Sequence, residues 1–329
     1  MSARLDHLDP EIAVFVDDIC NGAAQLAAGR MPGWPERRRI AEQLRTRWRA
    51  GGPAMARIEE HELTSAHGPF RLRLYRPPGA PAAAPVLVYV HGGGWCMFSI
   101  DTHDRLMREY AAAACVAVAA IDYCLAPEHP FPAAQDQCVE AVRWLRREAG
   151  RLGLDGDRLA LGGDSAGANL ALTTALRLRE AGGLDGVRAL LLNYGVFDTR
   201  ISMEAARSLG TEEDMLSSGE MDAFWHAYLG PRFGDGDPLA VPIHAPLHGL
   251  PPAILLYGDR DVLAEQSMAM AVRLRAAGVT TALHEYPGAP HSFLEAMSVS
   301  AQARDAIARG AQWLSRHLHP SAVEARPCA

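Results

Sequence analysis

The stretch RLALGGDSAGANLAL, Arg158 to Leu172, runs an apolar strand into a helix through Gly163-Asp164-Ser165-Ala166-Gly167. A strand that turns so sharply into a helix needs small residues two places on either side of its apex, because the neighbouring chain passes too closely for a side chain. The pattern G-x-S-x-G between those two elements pushes the serine above the sheet. It also aims the N-terminal N–H groups and the positive dipole end of the helix at the serine oxygen. An incidental turn serine is the bland alternative; the flanking strand and helix make Ser165 a candidate nucleophile.

Outward from this turn, apolar strands and amphipathic stretches alternate. Val86–Val90, Cys115–Ile121, Arg158–Gly162, Ala189–Asn193, Ala253–Tyr257 and Thr280–Tyr286 read as strands. Residues 101–114, 133–149, 166–181, 263–277 and 301–318 read as helices. Continuous apolar strands separated by helices predict a mostly parallel sheet covered on both faces, an α/β fold. Upstream, PFRLRLYRP alternates Phe70, Leu72 and Leu74 with arginines and predicts a half-buried strand that makes the sheet mixed. The first ~55 residues carry helical spacing instead, with Ile12, Phe15, Val16 and Ile19 on one face, then Ile40, Leu44 and Trp48 after a proline-rich break. Between about 198 and 250 the alternation lapses. The domain expectation is therefore an N-terminal helical segment (1–56), a catalytic core (57–197 and 251–329) and an insertion (198–250) within the same domain.

Composition narrows the chemistry. The 329 residues carry a net charge of −7, which disfavours a nucleic-acid or anionic-membrane partner. No window approaches the roughly 18 consecutive apolar residues that span a bilayer, and the N-terminal stretch has acids inside its apolar part, so a cytoplasmic location is expected. All 32 basic residues are arginine. Schiff-base chemistry, a P-loop and a Ser–Lys dyad all need lysine and are excluded. The run Glu36-Arg37-Arg38-Arg39 reads as a solvated helix face. Six scattered cysteines without CxxC spacing read as reduced thiols.

A serine nucleophile needs a base and an orienting acid, which in strand–turn–helix sites follow it at the C-terminal ends of later strands. The strand 253–257 runs into GDRDVLAE, which offers Asp259 and Asp261; the strand 280–286 leads to PGAPHSFLE and offers His291. His226, His244, His248, His284, His317 and His319 fall in the insertion, in a strand or at the chain end and read as surface or packing residues. Prolines beside His244 and His248 forbid the helix that would align them as ligands, so neither a metal nor any other cofactor is expected. After strand 86–90 comes His91-Gly92-Gly93-Gly94-Trp95. Bulky residues follow the glycines where a dinucleotide loop would need small ones. A glycine triplet here instead suits backbone N–H groups that meet a developing oxyanion. Gly92 reads as a simple turn glycine and His91 as a residue that fixes the loop.

Together HGGGW (91–95), DTHD (101–104), DYCLAPEHPFPAA (122–134), GDSAGAN (163–169), GDRDVL (258–263) and HSF (291–293) resemble the hormone-sensitive-lipase family of α/β-hydrolases, in order from about residue 57 onward. The resemblance implies an eight-stranded α/β-hydrolase sheet and a serine carboxylesterase that acts on short- to medium-chain acyl or aryl esters through an acyl-enzyme. It implies Ser165 as nucleophile, His291 as base and Asp261 as orienting acid. Gly93, Gly94 and Ala166 would supply the oxyanion hole, and residues 1–56 and 198–250 would cover the site as a cap. Where the family usually has Tyr-Pro, this chain has Asn193-Tyr194-Gly195; Tyr194, Trp95 and Cys96 are the candidate substrate contacts. The expected partner is a small-molecule ester, with a homodimer left open. An arylformamidase or amidase is the rival within hydrolases. A non-catalytic binding protein, as in the gibberellin receptors, is the rival from another class, although those receptors lack the catalytic histidine.

Overall fold

Asp9 accepts hydrogen bonds from the backbone N–H groups of Glu11 and Ile12, and Pro10 takes the first helical position, so α1 (Pro10–Ala27) starts on capping chemistry. It buries Ile12, Phe15, Val16 and Ile19, the face expected from their spacing. In the computed structural model, which describes residues 5–211 and 214–319, α2 (Trp34–Arg45) follows, and Trp48 beyond it packs edge-on against Phe15 at 4.9 Å. The hairpin β1 (Arg57–Ser65) and β2 (Gly68–Arg76) opens the sheet. Then come β3 (Ala84–Val90), α3 (Asp104–Ala114), β4 (Ala117–Asp122), α4 (Ala133–Leu152), β5 (Leu154–Asp164), α5 (Ala166–Glu180) and β6 (Val187–Asn193). After two short helices, α6 (Met203–Ser208) and α7 (Ser218–Leu229), the alternation resumes with β7 (Ala253–Arg260), α8 (Ala264–Ala276), β8 (Thr281–Pro290) and α9 (Ala301–Leu318).

The eight strands form one sheet in the order β1-β2-β4-β3-β5-β6-β7-β8. β2 is antiparallel to both β1 and β4, and every other pairing is parallel. β3 is buried along its whole length, and its pleat sends Val86, Val88 and Val90 to the core shared with α4, α5 and α8. Leu87 and Tyr89 go to the core shared with α1, α3 and α9. This is why the parallel strands read as unbroken apolar runs while β2 alternates.

Several element boundaries differ from expectation, and two of them do so for local reasons that the structure shows. The helix expected from Asp101 begins at Asp104, because Ser99 and Thr102 side chains take the N–H groups of Asp101, Thr102 and Ser99 and hold a turn. The strand expected from Cys115 begins at Ala117, because Cys115 is the left-handed C-cap of α3. The cysteines also depart from expectation. Cys96, Cys124 and Cys138 are free thiols, but Cys115 is disulfide-bonded, and Cys328 lies outside the described residues.

A very close crossing lies between β3 and α5. A Cβ on Gly167 would overlap the backbone oxygen of Val90, and one on Gly163 would overlap the backbone of Gly167. Neither clash can be relieved by turning a side chain. Gly167→Ala is expected to destabilise the protein by about 1–3 kcal/mol or more, in the range of overpacked cores. A urea denaturation curve matching that of the native sequence would refute the crossing.

Candidate active site

Ser165 stands at the apex between β5 and α5 with φ 53° and ψ −120°, a conformation an L-residue adopts only under constraint. The constraint is visible. Its N–H donates to Asn193 O at 2.9 Å, and its carbonyl accepts from Asn169 N–H at 3.2 Å and Val196 N–H at 3.4 Å. Asn169 in turn donates from Nδ2 to the carbonyls of Val196 and Ala240, each at 2.9 Å, and so pins the chain that leaves β6.

His291 follows directly on β8. Its Nε2 lies 2.9 Å from Ser165 Oγ and its Nδ1 2.8 Å from Asp261 Oδ2. All three side chains are buried, and Asp261 Oδ1 accepts from Leu263 N–H at 2.8 Å, which fixes the carboxylate against the ring. Asp259 does something else: its Oδ1 accepts from Gly288 N–H at 2.6 Å and shapes the turn before His291. Of the two acids the residues left open, Asp261 is therefore the one that meets the imidazole. Tyr194 packs edge-on against the same imidazole at 5.0 Å, with φ 35° and its hydroxyl buried.

The glycine triplet lies across from the serine. Gly93 and Gly94 have φ of 109° and 58°, and the turn closes by Cys96 and Met97 N–H groups donating to Gly93 O at 3.0 and 2.9 Å. Among the described residues nothing accepts from the N–H groups of Gly93 and Gly94, and both residues line a cavity of about 660 Å³ together with Ser165 and His291. Gly92 is more than a turn residue. Its N–H donates to Asp164 Oδ1 at 3.2 Å, and a Cβ there would overlap the Asp164 carboxylate, so it is bare for that close approach. His91 does fix the loop: it stacks on Tyr123 at 4.3 Å and donates from Nδ1 to Gly92 O at 2.7 Å. Burial, with His103 adding to it, takes its imidazole down to about 4, so it stays neutral.

The three substrate-contact candidates are not at the cavity. Trp95 stacks flat on Tyr228 at 4.3 Å and tilts onto Trp225 at 4.4 Å, inside the core beside α7. Cys96 is fully buried, which pushes its thiol up to about 12. Tyr194 backs the histidine from below. Met97, Phe98, Phe224 and small residues of α1 form the cavity wall instead. Direct neighbours of a motif in sequence point to alternate sides of a tight turn, and no periodicity in a five-residue loop tells which.

Asp164 and His103, in GDSAGAN and DTHD, form a buried pair that no sequence signal marks. Asp164 accepts from Tyr89 Oη at 3.0 Å and from His103 Nε2 at 3.3 Å, while His103 Nδ1 lies 2.8 Å from Thr102 Oγ1. Burial pushes the Asp164 carboxyl up, but the charge and hydrogen bond of His103 outweigh it and hold the group below its ordinary value. Burial likewise works against a charged His103, and the Asp164 charge overcomes it and raises that imidazole. Among the described residues no three His, Cys, Asp or Glu side chains converge as metal ligands would.

Residues 87–295 match the family model of the alpha/beta hydrolase fold. The chain belongs to the α/β-hydrolases. This hydrolase is 36% identical over 253 residues to carboxylesterase NlhH of Mycobacterium tuberculosis, covering 75% of this chain and 78% of that one. It is 34% identical over 271 residues to an ethyl acetate hydrolase of Pseudomonas putida, covering 79% and 83%. It also superposes with a TM-score of 0.80 and 29% identity on an esterase of the bacterial hormone-sensitive lipase family, over 94% of this chain and 99% of that one. The resemblance to the hormone-sensitive-lipase family is thus borne out. Among the described residues no helix of the hydrolase is long and apolar enough to cross a membrane.

The buried pair has a pH signature. A depressed Asp164 contributes stability that is present above its unfolded value of 3.8 and lost as pH falls through the folded one. A raised His103 contributes stability that is complete below its unfolded value of 6.5 and lost as pH rises through the folded one. Their joint contribution is therefore greatest between 3.8 and 6.5. In the variant His103→Gln, thermal midpoints measured across this range are expected to lose that maximum. An unchanged profile would rule out the charged pair.

Proposed function

We propose that the hydrolase is a serine carboxylesterase in which Ser165 Oγ attacks the ester carbonyl as His291 Nε2 takes its proton. Asp261 holds the imidazole in the tautomer that accepts at Nε2. The negative charge that develops on the carbonyl oxygen falls to the N–H groups of Gly93, Gly94 and Ala166. His291 then gives its proton to the departing alcohol, leaving an acyl group on Ser165. The same histidine activates the water that releases the acid. What carries this reading is the unbroken hydrogen-bonded line Ser165–His291–Asp261 facing N–H groups left without an acceptor.

The cavity supports a neutral, largely apolar substrate. Ile19, Ala23, Ala24, Ile40, Leu44 and Phe224 line it, and the three arginines that reach it are paired: Arg30 with Glu36, Arg37 with Glu220, Arg45 with Glu295. A substrate carboxylate would have to break one of those pairs. The walls come from α1 and α2 on one side and α7 on the other, so residues 1–56 and 198–250 act as a cap over a single catalytic domain. Short- and medium-chain acyl or aryl esters fit such a site.

Ser165→Ala is expected to lower kcat toward a p-nitrophenyl butyrate by ~10⁴-fold or more. A fluorophosphonate should label the native serine one to one, and a matching anilide should turn over far more slowly than the ester. Absence of labelling in folded protein would return the chain to the binding-protein reading, and faster anilide cleavage would make it an amidase.

A further inference from the structure

Of the run Glu36–Arg39 on α2, only Arg39 is exposed. Arg38 turns inward, donating from Nε to Cys96 O at 2.7 Å and from Nη2 to Ala126 O at 2.8 Å, with Glu128 holding its outer edge. Seven residues on, two turns along the same helix face, Arg45 is only 4% exposed. Its Nε lies 2.6 Å and its Nη2 3.0 Å from the two carboxylate oxygens of Glu295, which is itself buried. Its guanidinium carbon sits 3.9 Å from the centre of the Phe98 ring. That ring lies against Gly93: a Cβ on the glycine would come within 2.8 Å of it. Glu295 lies four residues past His291, in the short helical turn Phe293–Ser298.

We propose that α2 is an arginine clamp on the oxyanion loop, and that Arg45 is a positioning residue joining that loop, through Phe98, to the His291 turn, through Glu295. The inference rests on the esterase reading and adds to it the part of the cap that sets the catalytic geometry. A buried ion pair is a weak device for stability, since apolar residues of similar volume often serve as well or better. A guanidinium can pair side-on with a carboxylate and stack on a ring at once, whereas an ammonium does one or the other. Arg38 and Arg45 therefore grip residues 96 and 98 of a loop whose working groups are at 93 and 94. When α2 is seated, the loop and the histidine turn are held in one register; when it lifts, both lose an anchor.

The experiment compares Arg45→Lys, Arg38→Lys and the double variant Arg45→Met/Glu295→Leu with the native enzyme, and uses Arg39→Gln on the exposed face of α2 as the control. Active serines are counted by endpoint fluorophosphonate labelling, so loss of folded protein does not enter the rates. Per labelled serine, Arg45→Lys and the double variant are expected to lose about 10- to 100-fold in kcat, as misplaced catalytic groups do, with KM changed by less than about threefold. Affinity for an aryl boronic acid, whose tetrahedral adduct needs the oxyanion donors, should weaken in parallel. Arg38→Lys should show the same pattern more weakly, and Arg39→Gln none of it. If the double variant folds and keeps native kcat and boronate affinity per labelled serine, Arg45 is merely structural and the clamp is wrong. Failure of the native enzyme itself to label would instead bring down the esterase reading.

Discussion

The site depends on one close crossing, where the end of β3 runs against the start of α5 with no side chain between Val90 O and Gly167. That contact places two chain segments far apart in sequence within reach of one reacting atom. The strand end carries Gly92, Gly93 and Gly94, and the helix start carries Ser165 and Ala166. Asp164 then locks the two together, because one carboxylate accepts from Gly92 N–H on the loop side while its own backbone leads into the serine. A side chain at Gly163 or Gly167 would push Ser165, the proposed nucleophile, away from the proposed oxyanion donors of the glycine loop. Such misplacement is enough to remove most of the benefit of a preorganised hole.

Burial of polar groups beneath this crossing follows the same logic. Asn193, Tyr89, Tyr110 and His103 surround Asp164 and hand it or each other hydrogen bonds: Asn193 Nδ2 donates to Tyr89 Oη at 3.2 Å and to Tyr110 Oη at 3.1 Å. Such a network costs desolvation and is tolerable only when its members are satisfied. Here it lies directly under the elbow, where an apolar filler could not dictate the orientation of the carboxylate. The tyrosines are correspondingly hard to ionise, since burial first and the Asp164 charge second raise the phenol of Tyr89. The rigidity needed at Ser165 is thus supplied from below by hydrogen bonds and from the side by glycine contacts.

How much of this was legible depended on whether a residue's neighbour was close in sequence. The parallel strands were readable because burial on both faces leaves an unbroken apolar run, and α9 was placed at Ala301–Leu318 by its pattern alone. Ser165, Asp261 and His291 were readable because each sits at a strand end with a recognisable local motif, and the structure brings them into hydrogen-bonding line. Gly92 was misread, since a glycine bare for a side chain 72 positions away looks like any turn glycine. Trp95 and Cys96 were placed beside substrate because they follow the donors in sequence, yet the left-handed turn at Gly93 to Trp95 swings them into the core. The run Glu36–Arg39 read as solvated because charge in a helix has no sequence marker for a partner 58 residues distant.

That last misreading bears on how α2 is seated over the cavity. A purely apolar α2 could cover the cavity, but apolar contacts are non-directional and would seat the helix in several neighbouring positions of similar energy. Paired guanidiniums admit few geometries, because each has to meet a carbonyl or a carboxylate in its own plane. Arg37 reaches Glu220 on α7, Arg38 reaches the glycine loop and Arg45 reaches the turn after His291, so three arginines of one short helix touch three separate segments. Ile40, Ala41 and Leu44 of the same helix line the cavity between them. Directional contacts from its arginines and soft contacts from its apolar residues are thus carried by one helix.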